Sequence, residues 1–243
     1  HRRGAGDRSG AGTGVVPAVT LDAIAKLGEP FGLKLRGGFY PLPRDGVPPL
    51  SDGSASAGIV LLGNIGDSIW PAFSGSPEYA DGEPHSLDRW TKRVIDGIAA
   101  AVGAEPLYPF GGPPWYPFQR WAQRAEPVLP SPVGVLIHPD LGLWHAYRGA
   151  LAFGERLALP GFAARPRPCD SCANRPCLSA CPVNAFTDQG YDVAACRRHV
   201  ASIEGEECRM GGCLARRACP IGRSQAYPPD EMAFHMAAFL AAR

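Results

Sequence analysis

Outside residues 169–219 this 243-residue chain contains no cysteine at all. It has no apolar run approaching the length of a membrane span and no excess of charge, the formal net charge being +1. It also has no G-x-G-x-x-G after a strand pattern and no internal repeat. Each absence removes a class of function. Without a span there is no membrane anchor of the helical kind, and a balanced charge gives no electrostatic case for nucleic acid or a lipid surface. The missing glycine fingerprint leaves a dinucleotide fold without support, although Asn64 in GNIG could still offer an amide to a polar cofactor group. The opening HRRGAGDRSGAGTG has an arginine pair with no apolar stretch behind it, so the chain is expected to be cytoplasmic. Lack of an initial Met reads as processing, and residues 1–17, Gly-rich and charged, are expected to be disordered.

What is present is concentrated. All eight cysteines fall in CDSCANRPCLSACP (169–182), CRMGGCLARRACP (208–220) and the isolated Cys196 between them. Disulfides suit an even count but belong to oxidising compartments. Structural zinc needs paired C-x2-C knuckles, and only Cys169 and Cys172 have that spacing. Two iron-sulfur clusters need eight thiolates, and the bacterial run C-x2-C-x2-C-x3-C-P is matched here except for two extra residues before Cys177. In such a run the fourth cysteine, followed by Pro, ligates the other cluster. One [4Fe-4S] is therefore expected on Cys169, Cys172, Cys177 and Cys219, and a second on Cys181, Cys196, Cys208 and Cys213. Pro182 and Pro220 fix the backbone just after the two crossing ligands. The neighbouring Arg197, Arg198, Arg209, Arg216 and Arg217 could form a docking face, or a solvated surface balanced by Glu204, Glu206 and Glu207.

Upstream, 45% hydrophobic content suffices for a core, and 30 Gly with 26 Pro imply extensive loops. Thr20 predicts an N-cap for LDAIAKLG, ended by Gly28. Residues 36–57 read as loop, and GIVLLGNIG (58–66) as a buried strand. Ser86 predicts the cap of a helix whose Leu87, Trp90, Val94, Ile98 and Ala101 share a face and which Gly103 closes. PVGVLIHP (132–139) reads as another buried strand, whereas 142–159 fits strand or helix equally. The order predicts an α/β domain over 18–162, with the junction near Pro160 to Pro168, and a small double-cluster module over 163–243.

The C-terminal third, from CDSCANRPCLSACP through YDVAACRRHVASIEGEECRMGGCLARRACPIG, resembles the double-cluster domain of epoxyqueuosine reductases and reductive dehalogenases, with longer internal spacings in both blocks. PLYPFGGPPWYPFQRWAQ and LIHPDLGLWHAYRGALAF are similar to the corrinoid-binding part of cobalamin-processing decyanase and dealkylase proteins. The resemblance implies a nitroreductase-like α+β sandwich carrying cobalamin, followed by a ferredoxin-like module with two [4Fe-4S] clusters. It implies an oxidoreductase that reduces cobalamin or strips its upper ligand, fed by a low-potential donor such as a ferredoxin, a flavodoxin or a reductase. Cobalamin-dependent reduction of another substrate and a plain electron carrier are the alternatives. Trp144, His145, Tyr147 and Arg148 would suit the face and amide rim of a corrin, or Trp144 and Tyr147 would be core. His138 fits a corrin contact or a satisfied loop histidine. Trp115 and Tyr116 would wall a planar ligand or pack a Pro-rich loop.

Overall fold

The computed structural model describes residues 19–242, so the expected disordered tail over 1–17 lies outside it. Helix α1 (Leu21–Gly28) begins where the side chain of Thr20 accepts the Ala23 amide at 3.2 Å. Strands β1 (Lys34–Phe39) and β2 (Gly58–Ile65) follow as an antiparallel pair. The loop expected from residue 36 therefore starts only after Phe39. Gly37 and Gly38 look like a turn in sequence but sit at a register shift inside β1. Gly37 has φ +70, and a Cβ there would stand 2.2 Å from the carbonyl oxygen of Ala125. Glycine is needed for both reasons.

Helices α2 (Trp70–Ser74), α3 (Pro77–Ala80) and α4 (Ser86–Val102) come next. Ser86 is the first helical residue of α4, not its cap. That place falls to His85, which is left-handed at φ 57 and makes no side-chain capping bond. Gly103, at φ 64, closes the helix as expected. Strand β3 (Glu105–Leu107) and helix α5 (Phe118–Ala125) lead to the short pair β4 (Leu129–Pro130) and β5 (Leu136–Ile137). The strand expected over 132–139 is thus two residues long. The ambiguous stretch after 142 contains strand β6 (His145–Phe153).

The sheet order is β1-β2-β6-β3, every neighbour antiparallel. Alternation sends Val60, Leu62, Leu151 and Phe153 toward Ile24, Trp90 and Ile95 of α1 and α4, while Ile59, Leu61, Ala150 and Ala152 meet Phe118 and Trp121 of α5. Both faces are covered, which explains why β2 is apolar from Ile59 to Leu62.

Residues 158–167 carry no helix or strand. Beyond them lie α6 (Pro176–Ser179), the hairpin β7 (Phe186–Thr187) and β8 (Gly190–Tyr191), α7 (Val193–Ala201), α8 (Glu206–Gly211), α9 (Leu214–Arg217) and α10 (Pro229–Ala241). Helix α10 packs on α7 and α8, yet its Phe234 stacks at 5.6 Å from Trp70 and 5.2 Å from Phe73 in the first core. Trp70 Nε1 also donates to Asp230 at 2.8 Å. The last helix therefore straddles the expected boundary at 162. No helix among the described residues is long and apolar enough to cross a membrane.

Candidate metal centre

Short helices present the thiols. Cys169 lies in a 3-10 turn (Pro168–Asp170), Cys177 in α6, Cys196 in α7 and Cys208 in α8, whereas Cys213 precedes α9 and Cys219 follows it. All eight are free thiols, and Cys169, Cys181, Cys208 and Cys219 are buried. Burial lifts the Cys169 thiol above its ordinary value; Arg167 opposes this, and Cys219, Cys177 and Cys172 add to it. Cys177 is raised by burial and then by Cys219 and Cys172. Cys208 and Cys213 are likewise raised by burial, with Cys196 and Cys181 adding to both. Cys219 thus lies within electrostatic reach of Cys169 and Cys177, and Cys196 and Cys181 within reach of Cys208 and Cys213, as the expected first group (Cys169, Cys172, Cys177, Cys219) and second group (Cys181, Cys196, Cys208, Cys213) require.

The first group lines a single cavity of about 430 Å³, walled by Pro132 and Ile137 from the β4–β5 hairpin and by Ile221. Cys181, Cys196 and Cys213 pack with Ala185, Ala215 and Leu143 in an apolar cluster that also takes in Cys169, Cys177 and Cys219. There the Ala185 amide donates to Cys181 Sγ at 3.3 Å. Among the described residues no three Cys, His, Asp or Glu side chains converge tightly enough to share one metal ion. A lone zinc holds each sulfur at about 2.3 Å. Thiols spread around a cavity fit a polynuclear cluster better.

The module is locked to the sheet beside these cysteines. A Cβ on Gly142 would lie 2.0 Å from the Ile221 carbonyl oxygen, and one on Gly222 2.2 Å from that of Leu141, so two backbones touch just after Cys219-Pro220. Arg216, between Cys213 and Cys219 in sequence, donates to the Leu143 carbonyl at 3.0 and 2.7 Å. Its guanidinium lies 4.5 Å from the Trp144 ring and 4.4 Å from Tyr227. The other arginines are mostly engaged as well. Arg197 binds the Phe239 and Leu240 carbonyls at the end of α10, Arg209 those of Val200 and Ser202, and Arg217 pairs with Glu207. A solvated or internal role describes these better than a docking face.

The seven side chains expected around a corrin occupy three separate environments. In the pairing of β2 with β6, Leu62 faces Gly149 and Gly63 faces Tyr147, leaving Arg148 as the extra residue of a bulge. His145 and Tyr147 consequently point to the α5 side. There Arg36, 2% exposed, binds Glu126 through two bonds of 2.8 and 2.9 Å and reaches His145 Nδ1 at 3.2 Å. His138 Nε2 approaches the same carboxylate at 3.7 Å. Burial, helped by Arg36, lowers His145 to about 3, so the ring is neutral with its proton on Nε2. That Nε2 and the Tyr147 hydroxyl are buried without partners.

Arg148 instead donates to Asn64 Oδ1 at 3.0 Å, and the Asn64 amide reaches Tyr227 at 3.1 Å. Trp144 stands beside Tyr227, centroids 5.4 Å apart. Below them Glu231, 1% exposed, is pushed up to about 8 by burial against the pull of Arg148, and His235, 3.6 Å away, is lowered to about 3, again chiefly by burial. In the third environment Tyr116 stacks on Trp121 at 5.7 Å, while Trp115 is 66% exposed. Arg36, Glu126 and Glu231 carry no sequence motif, and only the fold reveals them.

No family model matches the chain. It is 32% identical over 111 residues to SRC kinase signaling inhibitor 1 of Rattus norvegicus, a match spanning 46% of this chain and 8% of that protein. Among solved structures, epoxyqueuosine reductase from Streptococcus thermophilus is similar with a TM-score of 0.46 and 15% identity, over 86% of this chain and 69% of that one. A selenomethionine-labelled epoxyqueuosine reductase gives a TM-score of 0.43 and 14% identity, over 89% and 63%. Likeness at this level leaves the function to be argued from the chain's own residues.

Proposed function

We propose that this chain is an iron-sulfur oxidoreductase in which two [4Fe-4S] clusters, on Cys169, Cys172, Cys177, Cys219 and on Cys181, Cys196, Cys208, Cys213, pass electrons from a low-potential donor to an acceptor. In this reading residues 163–243 act as a ferredoxin-like double-cluster module on a nitroreductase-like α/β scaffold. The observation that supports it is the single cavity lined by Cys169, Cys172, Cys177 and Cys219, the last brought in from across the module, with the other four free thiols left for a second site. Thiolate-ligated clusters supply one-electron chemistry over a wide range of potential, tuned by hydrogen bonds to sulfur and by solvent exposure. The chain's part is to hold the thiols, exclude water with Pro132, Ile137 and Ile221, and donate amides such as that of Ala185.

Cobalamin, as acceptor or as cofactor, rests on the resemblance of 106–123 and 136–153. Its expected contacts do not fit one corrin in this fold. Trp144 and His145 are 2% and 8% exposed and look to different neighbours, and none of the seven lines the 430 Å³ cavity. No step through cobalt follows from this arrangement.

Anaerobically loaded protein should carry about eight irons and eight sulfides and bleach with dithionite. Colourless protein with stoichiometric zinc would overturn the reading. Hydroxocobalamin or cyanocobalamin added to the loaded protein should leave the corrin spectrum unchanged if the acceptor is something else. A saturable spectral shift that Trp144→Ala or Arg148→Ala weakens would restore the corrinoid.

A further inference from the structure

A second cavity, of about 260 Å³, adjoins the one that holds the first cysteine group and shares Cys169 and Arg175 with it. Unlike its neighbour it is polar. Arg167 and Arg175 line it against a single carboxylate, Asp188, at the exposed tip of the β7–β8 hairpin. Arg167 is held in place by Asp170 at 2.9 Å and by the Pro130 carbonyl at 3.3 Å. The Arg175 guanidinium has no hydrogen bond or ion pair among the described residues, the residue's carbonyl alone accepting the Leu178 amide at 2.9 Å. Ser131 also lines the cavity, and its hydroxyl is buried without a partner.

The backbone bears on the same point. Asn174 and Arg175 stand at φ 60 and φ 37, left-handed conformations that side-chain-bearing residues adopt at a cost. They lie in the stretch between Cys172 and Cys177 where this cysteine block is two residues longer than the bacterial dicluster run. The added length places a free guanidinium on the wall between the two cavities.

We propose that this pocket binds an oxyanion, a carboxylate or phosphate group, between Arg175 and Arg167 with the Ser131 hydroxyl as a further donor. Placing that anion beside a cluster rests on the two-cluster reading; the pocket does not. Planar guanidinium groups bind oxyanions with two parallel bonds, and a buried hydroxyl without a partner gains one from such a guest. Reduction adds negative charge to the cluster on Cys169, so electron and anion oppose each other. Thermodynamic reciprocity then requires that the anion lower that cluster's potential and that reduction weaken anion binding by the same factor. An anion in the pocket would therefore bind more tightly beside the oxidised cluster than beside the reduced one.

The test uses the cluster-loaded full chain. Potentials are followed by electron paramagnetic resonance in inorganic phosphate, acetate or chloride at equal ionic strength, and binding of phosphate and acetate is measured by calorimetry. One cluster, the one lost in Cys172→Ala, should move to a more negative potential in phosphate or acetate and stay put in chloride. The more effective of the two identifies the group. Arg175→Ala should weaken binding about tenfold or more, the loss expected for a charge-assisted bond, with Arg175→Lys intermediate. Absence of binding, equal shifts in chloride, or binding unaffected by Arg175→Ala would overturn the proposal. A chain that retains no iron would overturn the two-cluster reading instead, leaving calorimetry to decide the pocket.

Discussion

The α/β unit closes its interior with side chains alone, Trp90, Trp121, Phe73, Ile59 and Leu151 all being essentially inaccessible, whereas the buried centre of the C-terminal module is made of thiols, alanines and a few aliphatics beside the short helices α6–α9, of four to nine residues. Large apolar side chains bury enough surface to order a sheet without help. A module with few of them must find its order elsewhere, and metal ligation couples directly to folding. The module also borrows from its neighbour: Phe234 and Asp230 of α10 are anchored on Trp70, and Arg216 is clamped between Trp144 and Tyr227.

The contrast is most easily broken at the thiols. Cys219→Ala and Cys172→Ala should each lose the same cluster, about half the iron, while Cys181→Ala loses the other; the α/β unit should keep its far-ultraviolet circular dichroism in all three. Cys219→Ala and Cys172→Ala erasing different resonance signals would show that the ligands do not cross. The converse substitution, Trp121→Ala, removes a fully buried ring bonded to the Asp45 carbonyl at 2.8 Å and should cost about 3–5 kcal/mol in urea denaturation, with iron per folded molecule unchanged.

A smaller effect separates the two regions by pH. His145 and His235 stay neutral in the fold down to about 3, so stability is lost as pH falls below their ordinary value of 6.5. Glu231 stays protonated up to about 8, so its contribution is present below its ordinary 4.5 and is lost as pH rises through about 8. With two histidines opposed to one carboxyl, stability should rise to about pH 6.5 and decline from there to about 8. Glu231→Gln should abolish the decline in denaturation curves taken across that range, and a decline that persists would mean the carboxyl finds a partner when ionised.

Local chemistry made part of this visible from sequence. Thr20 caps α1, Gly103 ends α4 and the apolar run 58–65 is a strand, because each depends on residues a few positions apart. The cysteines stood out because spacing and Cys-Pro endings are themselves local. Strand β1 was hidden because Gly37 and Gly38 mimic a turn until α5 is seen packed against them. The candidate corrin contacts read as one set because Trp144, His145, Tyr147 and Arg148 are adjacent in sequence. Strand alternation puts His145 and Tyr147 on one face and Arg148 on the other, and a one-residue bulge in β6, set by its partner strand, decides which face each takes. Glu126 and Arg36 meet across ninety residues, a distance no pattern spans.

The backbone contact of Gly142 with Ile221 and of Gly222 with Leu141 has a consequence in time. Domain closure and lid opening occupy microseconds to milliseconds and set the pace of many enzymes. Here the turn after Cys219 is pressed against the loop that leads into β6. An electron on the module would wait for no swing of one body toward the other, and the tempo of the protein would be that of its partners' arrival and departure.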